Sequence, residues 1–135
     1  MNVEQEISKL KYHKELMLTM LLHENPDKFF FYHQIINYDL ERKDEKAILN
    51  IISLFNTRLS NESTFDFEKV FFDSINLQAI YDCSIKPTIE EYETYLKAIN
   101  IPIEPKYLLM AINKQRESDG ACEFLLEQYS KRQDA

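Results

Sequence analysis

The chain has 135 residues, of which 44% are hydrophobic, with nine Phe, eight Tyr, two Cys and a single Gly. That is enough apolar material for one substantial core, and it reads as one helical domain over 1–135, not a disordered chain. The net charge of −7 argues against direct nucleic-acid binding, which needs clustered Lys and Arg, and two cysteines make no disulfide framework.

Glycine usage sets the fold class. Sheet proteins spend glycine on hairpins and bulges, so a chain with Gly120 alone is expected to be all-α: a bundle-like domain of six to seven helices. The first helix is predicted from about Val3 to His23. Val3, Ile7, Leu10, Met17 and Leu21 fall at heptad spacing, Lys14 interrupts them, and Leu18 and Leu22 widen the stripe. Asn25-Pro26 ends this helix and opens the second, about Pro26 to Asn37. There Phe29, Phe30, Phe31, Tyr32, Ile35 and Ile36 point around much of the circumference. Such a helix lies at the centre of the fold or at a subunit contact.

A third helix, about Glu41 to Leu59, carries a solvated charged start and the inward stripe Ile48, Ile51, Ile52, Phe55 and Leu59. Residues 60–64 read as a loop. A fourth helix starts near Asp66; its end is ambiguous, since residues 77–86 also alternate like a strand, and helix to about Asp82 is favoured. Thr88 and Glu91 match a capping box for a fifth helix, with Ile89, Tyr92, Leu96 and Ile99 inward and Asn100 suited to a left-handed end. The sixth runs from about Pro105 to Arg116 with Leu108, Ala111 and Ile112 inward. Ser118-Asp119-Gly120 turns into the last, about Ala121 to Arg132, which buries Cys122, Leu125, Leu126 and Tyr129.

Chemistry is hard to find in this pattern. His13, His23 and His33 share no local face, and no His-x-x-x-His or Cys-x-x-Cys spacing offers a metal site. Cys83 and Cys122 lie in no catalytic motif and read as small buried hydrophobes. One glycine cannot build a phosphate loop. No cofactor, no metal and no enzymatic activity are therefore expected. An enzyme site assembled from His33 and distant carboxylates is the minor alternative. No apolar run reaches the ~20 residues of a membrane span, and Met1 to Glu6 has no signal-peptide character, so a cytoplasmic protein is expected.

The order of segments resembles the YhaI-like family of uncharacterised small helical proteins from Bacillus and related Gram-positive bacteria. The shared features are Ile7, Leu10 and Tyr12; Phe31-Tyr32 with Ile35-Ile36; Leu40 before a charged helix start; Thr64-Phe65-Asp66; and Ile89, Glu91 and Leu96. Where the family has Gly followed by an aliphatic residue, this chain has Asn100 and Ile101, and it lacks the glycine expected in the Asp39 link. The resemblance spans roughly residues 7 to 112 and implies a multihelical, self-associating protein without catalytic residues.

The expected function is thus non-enzymatic: a helical protein acting through self-association and a protein partner. A homodimer or higher even oligomer is expected, with Leu10, Met17, Leu21, Phe30, Phe31 and Tyr32 as interface candidates, Phe30 and Phe31 central, and Lys14 at the rim or in solvent. The alternative is an acidic inhibitor or antitoxin-like protein, of phage or mobile-element derivation, that blocks a basic site on its partner. Residues 60–105 carry −6 of the net charge. That reading requires Asp66, Asp73, Glu90, Glu91 and Glu93 on one exposed face.

Overall fold

The computed structural model of the chain describes residues 2–23, 28–60 and 86–134. Six helices make up this part, with no strand among the described residues: α1 (Val3–Leu22), α2 (Phe30–Asn37), α3 (Arg42–Ser60), α4 (Ile89–Ala98), α5 (Pro105–Gln115) and α6 (Gly120–Asp134). The all-α class follows from the sequence as expected. The expected helix start at Pro26, the loop after Ser60, the helix from Asp66 to Asp82 and Cys83 lie outside the described residues.

Local chemistry sets the helix ends. The Asn2 side chain accepts the Glu4 and Gln5 N–H groups and starts α1, supplying partners to donors that have none inside the helix. Pro105 occupies the first turn of α5, where a missing N–H costs nothing. The Thr88 hydroxyl accepts the Glu91 N–H at 3.1 Å, so half of the expected capping box forms. The Glu91 carboxylate is taken by Arg58 and Tyr95.

Three helices end alike. After α2, the Leu40 N–H donates to the Ile35 carbonyl and Asp39 N–H to that of Ile36. After α4, Ile101 and Asn100 donate to Leu96 and Lys97, and after α5, Ser118 and Glu117 donate to Asn113 and Lys114. Each is a Schellman end with its turning residue at positive φ: Asp39 at 58°, Asn100 at 61° and Glu117 at 63°. Asn100 does what its sequence position suggests. Asp39 and Glu117 correct the premise that one glycine means few left-handed turns: short and charged side chains take those positions instead. Gly120 has no positive φ. A Cβ there would stand 3.2 Å from Asn56 Oδ1, so its value is close approach between α6 and α3.

The centre of the fold is α3. Ile48, Ile51, Ile52, Leu54, Phe55 and Arg58 are all buried, and α3 packs on α4 and α6, while α5 packs on α2, α4 and α6. Tyr92, Leu96, Leu108, Leu109, Ala121, Cys122 and Leu125 complete the core. The aromatic helix α2 is not central: Phe31 and Ile35 enter the core, but Phe30 stays 38% exposed. This helix of eight residues packs on α1 and α5, and its outer side, with Phe30, His33 and Asn37, is exposed. The first helix uses Tyr12, His13, Leu16 and Met20 to meet the bundle, none of them from the heptad stripe.

Candidate interaction surface

Two faces of α1 have opposite fates. Its inner face is fastened by polar bonds as well as by packing. The Tyr12 hydroxyl donates to Glu45, and the Arg42 guanidinium lies 4.8 Å over the Tyr12 ring while reaching Glu15 at 2.6 Å. His13 Nε2 lies 2.6 Å from the Leu40 carbonyl. A carbonyl only accepts, so that nitrogen carries the proton. Lys9 bridges Glu6 and Asp39 at 3.1 and 2.7 Å. These bonds fix the rotation of α1 about its axis.

With that rotation fixed, the heptad stripe points outward. Val3, Ile7, Leu10, Met17, Leu18, Leu21 and Leu22 are all exposed, with Leu10 at 61%, Leu21 at 78% and Leu22 at 85%. Lys14 is exposed among them. Scattered exposed leucines are ordinary, whereas a contiguous apolar face along one helix makes a candidate binding surface. Of the six sequence candidates, Leu10, Met17 and Leu21 lie together on this face. Phe30 is exposed on α2, with Lys114 Nζ 4.6 Å from its ring centroid. Phe31, at 2% exposure, belongs to the chain's own core, and Tyr32 is half-buried, its ring stacked on Phe29 at 5.5 Å.

The acidic cluster is spoken for. Glu91 receives both arms of the buried Arg58 guanidinium, at 2.6 and 2.9 Å, and the Tyr95 hydroxyl. Glu93 accepts from Tyr129 and, at 3.4 Å, from Arg132, which also reaches Glu90 at 3.0 Å. Burial pushes the Tyr95 and Tyr129 phenols above their ordinary pKa, and the neighbouring carboxylates add to it, so both remain donors at neutral pH. Of the three carboxylates that the acidic-inhibitor alternative needs on one exposed face, Glu91 binds α4 to α3 and Glu93 binds it to α6, while the Glu90 side chain stays 71% exposed beside Arg132. Asp66 and Asp73 lie outside the described residues.

Possible catalytic groups sit in separate surroundings. His13 is buried on Leu40, His23 meets Phe29 edge-on with ring centroids 5.0 Å apart, and His33 is exposed. Cys122 is fully buried. Burial, then Asp119, pushes its thiol far above the ordinary range, which disfavours the thiolate a nucleophile needs. A groove of about 500 Å³ runs between His23, Lys28, Phe29, Tyr32, Gln115 and Arg116. Its two cations are engaged, Lys28 with Glu117 at 3.6 Å and Arg116 with Asp119 at 2.9 Å. Among the described residues no cluster of three or more His, Cys, Asp or Glu could hold a metal ion, and no helix is long and apolar enough to cross a membrane.

A sequence-family comparison matches residues 1–100 to the family described as protein of unknown function DUF1878. No curated protein and no solved structure matches the chain.

Proposed function

For this chain, which belongs to the DUF1878 family of proteins of unknown function, we propose a non-enzymatic role: it binds protein, a further copy of itself included, through the outer face of α1. The YhaI-like resemblance, with its origin in Bacillus and related Gram-positive bacteria and a cytoplasmic setting, is part of the same reading. The observation that supports it is the exposed apolar stripe of α1, whose Leu10, Leu21 and Leu22 are more than half exposed while the helix's other face is fastened to the bundle. Burial of such a face is favourable by about 25 cal/mol per Å², so it seeks a cover. No catalytic residue is assigned.

Light scattering of the native chain is expected to give a mass above the 16.2 kDa of one copy. The double variant Leu10→Glu/Leu21→Glu should return it to one copy, with the helical circular dichroism kept and captured partners lost. A native protein that runs as a single chain, with binding partners unchanged in the double variant, would sink the reading.

The acidic-inhibitor alternative receives less support. It needs several carboxylates free to meet a basic partner on one face, and Glu91 is held by the buried Arg58 and Glu93 by Tyr129, which leaves Glu90 as the exposed one of the three.

A further inference from the structure

We infer that the outer face of α1 is covered by α1 of a second copy, the two helices parallel and in register as a short two-stranded coiled coil. This rests on the reading above, that the face is a protein-binding surface, and adds what occupies it and in which direction.

Spacing comes first. Val3, Ile7, Leu10, Lys14, Met17 and Leu21 alternate steps of four and three residues, the a/d repeat of a coiled-coil seam. With Ile7 at an a position, the d positions are Val3, Leu10 and Met17. The bundle-facing residues Tyr12, His13, Leu16 and Met20 then fall at f, g, c and g. The chain's own fold has thus taken the c, f and upper g positions of the helix and left the a and d positions clear. Ile at a next to Leu at d favours two strands, as Ile7 and Leu10 provide.

Area comes second. Val3, Ile7, Leu10, Met17, Leu18 and Leu21, between 43% and 78% exposed, leave roughly 600 Å² on one helix, at the upper end of the ~300–600 Å² largest patch of an ordinary monomer; Leu22 falls at b, off the seam. Pairing two such helices buries up to about 1,200 Å², at the lower edge of the ~1,200–2,000 Å² of stable interfaces.

Charge decides between directions. Glu6 stands at g and Lys11 at e, five residues on; Glu6 also meets Lys9 of its own chain at 3.1 Å, and Asp39 at 2.7 Å keeps Lys9 held when Glu6 turns to the seam. In a parallel in-register pair that spacing sets Glu6 of each copy beside Lys11 of the other, once on each edge. In the antiparallel arrangement that covers the same seam, Lys14 faces Leu10, which removes the Lys14 pair, but Lys11 meets Lys11 and Glu6 meets Met20, with no opposite charges matched. The parallel pair carries one defect, Lys14 facing Lys14 across an a layer. Their stems can run along the seam with the ammonium groups in water. The layer weakens the pair while fixing its register, which is the usual effect of one polar a residue.

The full-length chain serves for the test, with sedimentation across a concentration series and helical circular dichroism to confirm folding. The native chain is expected to dimerise. Leu10→Glu should weaken the dimer by about a hundredfold and Lys14→Leu should tighten it by about tenfold. In a Cys83→Ser background, Leu10→Cys should close a disulfide between copies under mild oxidation, because d faces d only when the helices are parallel. A folded chain that remains single up to high micromolar concentration overturns the inference, as does a dimer indifferent to Leu10→Glu. A dimer that is lost in Leu10→Glu, yet links through Leu10→Cys/Lys14→Cys and not through Leu10→Cys alone, overturns the parallel pair and leaves the broader reading standing. A single chain that captures a different protein through α1 does the same.

Discussion

Helices α1 and α3 are nearly equal in length, at 20 and 19 residues, and both carry an apolar stripe at helical spacing. In α3 the stripe is the core of the molecule, with Ile48, Ile52, Leu54 and Phe55 wholly buried. In α1 the stripe faces water, and the helix reaches the bundle through a second, more polar face built on Tyr12, His13 and Leu16. Periodicity identifies an apolar face without saying what covers it. The bonds from Tyr12, His13, Lys9 and Glu15 to the link and helix that follow α2 turn α1's inner face toward the bundle.

The largest effect is expected in the core stripe of α3. Phe55→Ala in α3 removes a fully buried ring stacked on Tyr95, with centroids 6.0 Å apart, and should cost about 4 kcal/mol in denaturant unfolding. Next in size is Glu91→Ala, which removes two charged hydrogen bonds from the buried Arg58 guanidinium and should cost about 2 kcal/mol, read as a lowered unfolding midpoint. A loss below 1 kcal/mol would mean that Arg58 finds other partners.

A smaller effect is expected at the turn into α6. Asp119 accepts the Cys122 N–H and the Asn56 amide and pairs with Arg116. Burial raises its pKa, but these hydrogen bonds and the guanidinium outweigh it, leaving the carboxyl below its ordinary 3.8. A depressed folded pKa gives stability that is present above the unfolded value and lost as pH falls through the folded one. Asp119→Ala should therefore cost about 1.5 kcal/mol at neutral pH, and its deficit against the native chain should shrink below about pH 4. A deficit that is constant down to pH 2 would contradict this account.

The smallest effect sharpens the contrast with α3. Leu10→Ser on the outer face of α1 should change the stability of the dilute, dissociated chain by no more than about 0.5 kcal/mol, while altering its association. A loss near that of Phe55→Ala would show that the stripe supports the single chain after all.

Several features of the candidate surface were legible in the residues. The a/d repeat from Val3 to Leu21, the exposure of Lys14 and the left-handed Asn100 all follow from spacing and side-chain type. Phe31 shows where that reasoning stops. Four consecutive aromatics must point in different directions, and nothing local says that Phe31 enters the core while Phe30 does not. Glu91 shows the same from the polar side. Its position in a first helical turn suits a capping carboxylate, but a buried arginine 33 residues earlier is the stronger claim on it. Asp39 and Glu117 show that a scarcity of glycine does not remove left-handed helix ends, since the backbone bonds of the Schellman turn hold other residues there.

The amino-acid sequence by itself determined the helical class, most helix ends and the apolar side of each helix. Those depend on neighbours within a few residues: turn chemistry, capping side chains and a 3.6-residue repeat. Only the tertiary structure decided which apolar side became core and which was left bare, and which carboxylates were bound internally. Those outcomes depend on contacts between residues far apart in the chain, where a limited bundle interior and the high cost of an unpaired buried charge select among faces that look alike in sequence.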